Sequence, residues 1–331
     1  MTRRSYRTGE RWAIILAGGE GTRLSRLTIS RFGEHRPKQY CAFLGERTMF
    51  DHTMDRAVSL AGSRRVVTVI GQGHMRYLDA RAPLYGYVVE QPTNCDTAPG
   101  VFLPLAYVLA HDAEATVTIL PSDHFVSPNE AFRAAMERAA SLSEEAEGRL
   151  VLAAAVADRP EVEYGWIQPG ACADADCDAR RVLQFHEKPD AERAERFYRE
   201  GFLWNTLNMA CKASTLWELG RRHHPELMAR FELLRRSIGT SREAAVLAEI
   251  YRGMPPVNFS KGILEHAVDR TLVMPLRGVD WSDWGRPERI QETLERRAAL
   301  RPARQPAGSP AVAAAPLPPA GLPSPALLPA A

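Results

Sequence analysis

The sequence has almost no net charge. Forty-two lysines and arginines stand against 40 aspartates and glutamates, a formal +2 over 331 residues. That balance creates no broad field for a polyanion or an anionic lipid surface, so neither a nucleic-acid nor a membrane partner is expected. Long apolar runs are missing as well, and none approaches the roughly 20 residues that span a bilayer. The basic start, MTRRSYRTGERWAIILAGG, passes directly into an apolar strand with no small-residue cleavage pattern, so no secretory leader is expected there. Cysteine is sparse: Cys41, Cys95, Cys172, Cys177 and Cys211 are odd in number and scattered. Four residues separate Cys172 from Cys177, but no second pair or histidine cluster completes a zinc site. Free thiols in a cytoplasmic protein are the expectation.

Complete versions of two common nucleotide-binding loops are also absent. The first apolar run ends in AGGEGTRL. Thr22 and Arg23 stand where the third glycine of G-x-G-x-x-G would fall, and no G-K-[ST] follows as in a Walker A loop. What remains is a glycine loop followed at once by a cation. Free backbone N–H groups in such a loop can cradle phosphate oxygens, and a guanidinium adds a forked, charge-assisted contact. The plainer alternative is a tight βα turn with a solvated arginine.

The 45% hydrophobic content is that of an ordinary globular chain with a sizeable core. Short β-branched-rich runs (WAIILA, RVVTVIG, GYVVE, ATVTIL, RLVLAAAV) alternate with helical patterns. This alternation predicts an α/β fold with a doubly wound, mostly parallel sheet. TMFDHTMDRAVSLAG reads as a helix ending on Gly62, and TAPGVFLPLAYVLAHD as another. In SPNEAFRAAMERAASL, Ser127 is the expected N-cap, with Pro128 in the first turn, Glu130 completing a capping box, and Phe132, Met136 and Ala139 facing the core. Thr240 and Glu243 repeat that cap logic. Three domain spans follow: a flexible N-terminus over 1–11, one domain over 12–300, and a disordered Pro/Ala-rich tail over 301–331.

In doubly wound sheets ligands sit beyond the carboxyl ends of the strands, so chemistry is sought there. Downstream of the glycine loop, EHRPKQY places Arg36 and Lys38 around a stiffening proline. A second cation makes a triphosphate a better match than a single phosphate. VTILPSDHFV brings Asp123 to the end of a buried strand, where a carboxylate can hold Mg²⁺ together with phosphate oxygens. His124 beside it is expected to pack or orient, since magnesium avoids imidazole. GVDWSDWGRPERI offers Asp280 and Asp283 ahead of a helix, as caps or as a second metal carboxylate. YGWIQPG, VLQFHEKPD and FLWNTLNMACKAS read as β segments carrying aromatic, amide and carboxylate groups for hydroxyls and a lysine for a phosphate. Each alone is as readily a hairpin with surface charges; together they suit a sugar phosphate.

Taken in order, GGEGTRL, Pro37-Lys38-Gln39, PSDH, YGWI, FHEKP and WSDWG resemble the motifs of the sugar-1-phosphate nucleotidyltransferases, and among them those of bacterial mannose-1-phosphate guanylyltransferases. The likeness runs from about Trp12 to about Glu295. It implies a Rossmann-like nucleotidyltransferase fold with a β-hairpin-rich sugar-binding insertion. It implies transfer of a nucleotidyl group from a nucleoside triphosphate, GTP by preference, to a sugar 1-phosphate, mannose 1-phosphate by preference, with Mg²⁺. By motif match, Leu16, Ala17, Gly18, Gly19, Gly21, Thr22, Gln91 and Thr97 bind the nucleotide. Arg23, Lys38 and Asp123 are catalytic, and Asp123 and Asp283 hold the metal. Gly165, Glu187 and Asn205 meet the sugar, and Lys188 its phosphate. No nucleophilic Ser, Cys or His is nominated, because phosphoryl-type transfer needs positioning and charge neutralisation.

The chain departs from the family pattern at three places. QPTNCDTAPG stands where E-P-x-x-R-N-T-A-P is usual, so Gln91 replaces a glutamate and Cys95-Asp96 an Arg-Asn pair. Leu207 takes the place of the glycine in W-N-S-G, and Ser260 that of an acid. The alternatives are therefore the same reaction with another base or sugar, such as thymidylyl or uridylyl transfer, and a catalytically silent relative that senses a sugar nucleotide. A homo-oligomer is left open. Retention of Arg23, Lys38, Asp123, Lys188 and Asp283 favours an enzyme.

Overall fold

The computed structural model describes residues 9–78 and 84–299. The chain divides into two units, Met1–Ile290 and Gln291–Ala331. In chain order the elements are β1 (Arg11–Ala17), α1 (Ser25–Phe32), α2 (Met49–Ala61), β2 (Val66–Ile70), β3 (Tyr87–Glu90), α3 (Thr97–His111), β4 (Thr116–Pro121) and β5 (Phe125–Ser127). There follow α4 (Asn129–Glu145), β6 (Leu150–Val156), β7 (Gly165–Cys172), β8 (Arg180–Glu187), α5 (Ala191–Arg199), β9 (Leu203–Lys212), α6 (Ala213–His223) and α7 (Pro225–Ser237). The last are α8 (Glu243–Tyr251), α9 (Phe259–Gly262), β10 (Thr271–Pro275), β11 (Asp280–Ser282) and α10 (Pro287–Ala299).

Nine strands form one sheet in the order β3-β2-β1-β4-β9-β6-β10-β8-β7, and β5 pairs separately with β11. Period-two alternation in β1 explains why both faces are covered. Trp12 and Ile14 join a core with Val67, Phe102 and Phe231, where α3 and α7 pack. Ala13, Ile15 and Ala17 point the other way, into a core with Phe50, Met54, Phe132 and Met136 from α2 and α4. Phe102 is fully buried, and truncating a phenylalanine so placed costs about 3–5 kcal/mol.

The sheet is doubly wound, as expected, but not mostly parallel. The pairings β1–β2, β1–β4, β2–β3 and β6–β10 are parallel. Strand β9, however, lies between β4 and β6 antiparallel to both, and β7 and β8 add an antiparallel hairpin. The apolar pattern of a fully buried strand does not encode its neighbour's direction. Chain order reverses across β1, with β2 and β3 on one side and β4 on the other, so a crevice forms beyond the ends of β1 and β4.

The structure corrects three local expectations. Ser127 does not cap α4; it ends β5 opposite Asp280, and Pro128 is the N-cap residue, without a side-chain bond. Thr240 and Glu243 do not form a box: Thr240 Oγ1 accepts from Arg242 N at 3.3 Å, while Glu243 reaches Gly239 N at 2.7 Å. Cys172 and Cys177 are not free thiols but a disulfide with Cα atoms 4.9 Å apart, whereas Cys41, Cys95 and Cys211 are buried and free. The box that does form is Thr48 with Asp51 at the start of α2, which ends at Gly62 with φ +77°. Phe132, Met136 and Ala139 are buried as anticipated. The tail over 301–331 and residues 1–8 of the N-terminal segment lie outside the described residues. Among the described residues no helix is long and apolar enough to cross a membrane.

Candidate active site

The glycine loop begins where β1 ends. Its carbonyls are pinned from below: Ser122 N and Oγ donate to Leu16 O at 3.0 and 2.8 Å. Tyr40 Oη donates to Ala17 O at 3.0 Å, and Gln39 Nε2 spans Ala17 O and Gly19 O at 3.0 and 2.7 Å. Leu16 and Ala17 thus serve the loop through backbone oxygens already committed to the scaffold. Gly21 has φ +63°, and a Cβ there would lie 3.0 Å from Lys38 N, so glycine is required both by conformation and by the approach of the PKQ segment. Gly19 differs: a Cβ there would meet nothing within 4 Å. Its freedom is unused by the protein and leaves an open, exposed loop face. Thr22 and Arg23 follow in a short 3₁₀ turn, and the Arg23 side chain is 59% exposed and lies 3.6 Å from Glu163.

Beside this loop the structure brings together three residues from distant parts of the chain. Lys38, 6% exposed, holds its ammonium 3.0 Å from Asp123 Oδ2 and donates to the Asp283 carbonyl. Burial raises the Asp123 carboxyl, but Lys38 and then His124 outweigh it and hold it below the usual carboxylate value. For Asp283 burial is likewise overcome, by Lys38, by the Tyr164 hydroxyl and by Arg289, and its carboxyl is held far below the usual range. Asp283 Oδ1 accepts from Tyr164 Oη (2.6 Å), Arg289 Nη1 (2.6 Å) and Gly285 N (3.0 Å). Both carboxylates are therefore ionised at neutral pH. His124 is held mainly neutral by burial, accepts from Trp281 Nε1 at 3.4 Å and faces Asp123 Oδ1 at 3.6 Å. That is the orienting position expected of it. Asp280 pairs with Ser127 where β11 meets β5.

A second group forms where β7, β8 and β9 meet. A Cβ on Gly165 would lie 2.7 Å from Glu187 Oε2 and 3.1 Å from Asn205 Cβ, so these three residues share one small space. The Asn205 amide accepts from Leu207 N at 3.1 Å and donates to Ser260 Oγ at 3.4 Å. Burial raises the Glu187 carboxyl against the pull of Lys188 and Ser260. Lys188 is exposed, has φ +50°, and donates its N–H to Tyr164 O at 3.1 Å. Leu207, where a glycine was expected, does adopt a glycine-like φ of +58°.

Gln91 is 5% exposed, donates to Tyr251 Oη at 3.2 Å and crowds Gly18, whose added Cβ would fall 2.6 Å from Gln91 Oε1. It therefore adjoins the loop. The Thr97 hydroxyl instead accepts from Phe259 N at 2.8 Å, tying α3 to α9. Sequence reading missed Gln39, Tyr40, Glu163, Tyr164 and Arg289 as parts of the site. Gln39 and Tyr40 adjoin Lys38 and could have been found by adjacency; no local spacing marks Arg289.

The nucleotidyl transferase family model matches residues 12–297. The chain belongs to the nucleotidyl transferase family. Within that family it is 30% identical to the alginate biosynthesis protein AlgA of Pseudomonas syringae pv. tomato over 278 residues, 82% of this chain and 56% of AlgA. It is 27% identical to mannose-1-phosphate guanylyltransferase of Escherichia coli K12 over 285 residues, 83% of this chain and 58% of that protein. The chain thus spans just over half the length of these curated relatives. Among solved structures, the mannose-1-phosphate geranyltransferase of Thermus thermophilus matches with a TM-score of 0.72 at 30% identity, covering 83% of this chain and 76% of that one. A Helicobacter pylori mannose-6-phosphate isomerase structure shares the fold, with a TM-score of 0.65 at 19% identity over 82% of this chain and 99% of that one.

Proposed function

We propose that this nucleotidyl transferase moves a nucleotidyl group from GTP to mannose 1-phosphate, releasing pyrophosphate and giving a nucleotide sugar. The observation that carries the reading is the meeting of Lys38, Asp123 and Asp283 beside a glycine loop with an open face at Gly19. The choice of GTP and mannose 1-phosphate is supported by the names of the relatives and by the motif set, and the reaction class by the site.

In this account the nucleotide phosphates lie on the backbone N–H groups of Gly18, Gly19 and Gly21. Lys38 meets charge at the α-phosphate, where the sugar phosphate oxygen attacks in line. Arg23, which reaches Glu163 at a long 3.6 Å, meets the leaving pyrophosphate. Lys188 holds the sugar phosphate, and Gly165, Glu187 and Asn205 the sugar. The protein contributes position and charge rather than a covalent intermediate.

Asp123 and Asp283 suit a magnesium ion: they are hard oxygen donors held ionised, and such sites combine one or two carboxylates with substrate phosphates. Among the described residues no group of three or more His, Cys, Asp or Glu side chains could hold a metal ion. Held by Asp123 and Asp283, the ion would supply positive charge to neutralise the phosphates during transfer.

Gln91 supports a second reading, the same reaction with a different base, because it stands where guanylyltransferases of this pattern carry glutamate. Pyrophosphate release over a matrix of nucleoside triphosphates and sugar 1-phosphates separates the readings. Release with GTP and mannose 1-phosphate alone supports the first, and release with another pair the second. Silence with every pair leaves only a sugar-nucleotide-binding relative.

A further inference from the structure

The segment Glu161–Gly165 links Arg23, Asp283, Lys188 and the Glu187–Asn205 space. Glu163 lies 3.6 Å from Arg23 and accepts from Arg286 Nε at 2.9 Å and from Arg289 Nη2 at 3.1 Å. Glu161 Oε2 meets Arg289 Nη2 at 2.7 Å. Tyr164 donates its hydroxyl to Asp283 while its carbonyl receives Lys188 N, and Gly165 walls the Glu187–Asn205 space. Arg289 is 6% exposed and lies over the Tyr164 ring at 4.6 Å, and the two donate side by side to the same carboxylate oxygen.

We infer that Tyr164 and Arg289 are positioning residues for the metal carboxylate: by saturating Asp283 Oδ1 they fix the rotamer that turns Oδ2 to the cation. The inference rests on the transferase reading only for its cation, which Asp283 would share with Asp123. Three donors converge on Oδ1, two of them side chains locked by packing. The Tyr164 ring meets Trp204 at 5.0 Å and Trp281 at 5.3 Å, and Arg289 is held by Glu161 and Glu163. A carboxylate so restrained has little rotational freedom left to lose when it binds a cation, and outer groups of this kind govern affinity. Because the same tyrosine carries the Lys188 amide on its carbonyl, it also sets the spacing between the cation and the lysine assigned to the sugar phosphate.

The test is Mn²⁺ binding to the protein without nucleotide, counted from free Mn²⁺ by electron paramagnetic resonance. Tyr164→Phe keeps the ring and its packing and removes one hydrogen bond to a charged group. The expected result is about tenfold weaker Mn²⁺ binding to a metal-free protein that is still folded at the assay temperature, at a lowered unfolding midpoint. Arg289→Lys keeps the charge but loses the fork, and is expected to fall between Tyr164→Phe and wild type. Equal Mn²⁺ affinity in Tyr164→Phe and wild type would overturn the inference, as would absence of binding to wild type. Weaker binding that only tracks an unfolded fraction of the metal-free variant at the assay temperature would also overturn it, placing Tyr164 in the scaffold alone. The Mn²⁺ count does not depend on which substrates react, so failure of the transferase reading shows separately, as missing pyrophosphate release.

Discussion

Lys38 and Asp123 meet at 3.0 Å although they lie far apart in sequence, and Lys38 at the same time donates to the carbonyl of Asp283. A buried ammonium thus bridges the ends of two chain segments that both approach the glycine loop. Lys38→Met keeps the stem and removes the charge. It is expected to lower kcat by about 10²–10³, the loss seen when one preorganised charge donor is removed. Steady-state kinetics check this, and a rise in KM with kcat unchanged would assign Lys38 to ground-state binding.

The glycines separate scaffold from ligand contact. A Cβ at Gly19 meets nothing, so Gly19→Ala is expected to leave thermal stability unchanged and to raise KM for the nucleoside triphosphate about tenfold. A Cβ at Gly21 requires a residue at φ +63° and presses on Lys38 N, so Gly21→Ala should cost about 1–2 kcal/mol in urea unfolding.

Part of this site was legible because the glycine loop and Asp123 stand at strand ends, where apolar runs stop. Lys38 was named from the PKQ loop and Asp283 as a metal carboxylate through the family resemblance, and the three converge. The Tyr164–Asp283 and Arg289–Glu163 pairs span 119 and 126 residues, and Arg289 looks in sequence like any helix arginine. Their pairing is a product of tertiary approach. Sheet direction failed for a related reason: β9 is buried between β4 and β6, and its side-chain pattern suits either orientation. Ser127 has the sequence context of a cap, yet pairing with Asp280 takes its backbone into a strand.

Glu187 predicts a pH effect. Its carboxyl is raised in the folded protein, chiefly by burial, so between the unfolded value of about 4.3 and the higher folded one the native state holds more protons. Its contribution is favourable at low pH and is lost as pH rises through the folded value. Glu187→Gln does not titrate, so its stability relative to wild type should increase from pH 4 to pH 7, while KM for the sugar 1-phosphate rises. Urea unfolding across that pH range reads the first effect, and a flat difference would remove burial as the cause.

Leu207 reverses the usual order of small residues. At φ +58° any Cβ is strained, so Leu207→Gly should be more stable than Leu207→Ala by about 1 kcal/mol, although glycine normally weakens a strand. Parallel urea titrations of the two variants decide the sign.

The central claim is that the α-phosphate moves to a sugar phosphate oxygen. GTP labelled at the α-phosphorus, incubated with mannose 1-phosphate and Mg²⁺, tests it most directly when the products are separated. The account predicts that the label appears in a nucleotide sugar, with one unlabelled pyrophosphate released for each, and that neither forms without the sugar phosphate. Label recovered only as GTP, or as GMP whether or not the sugar phosphate is present, would contradict it.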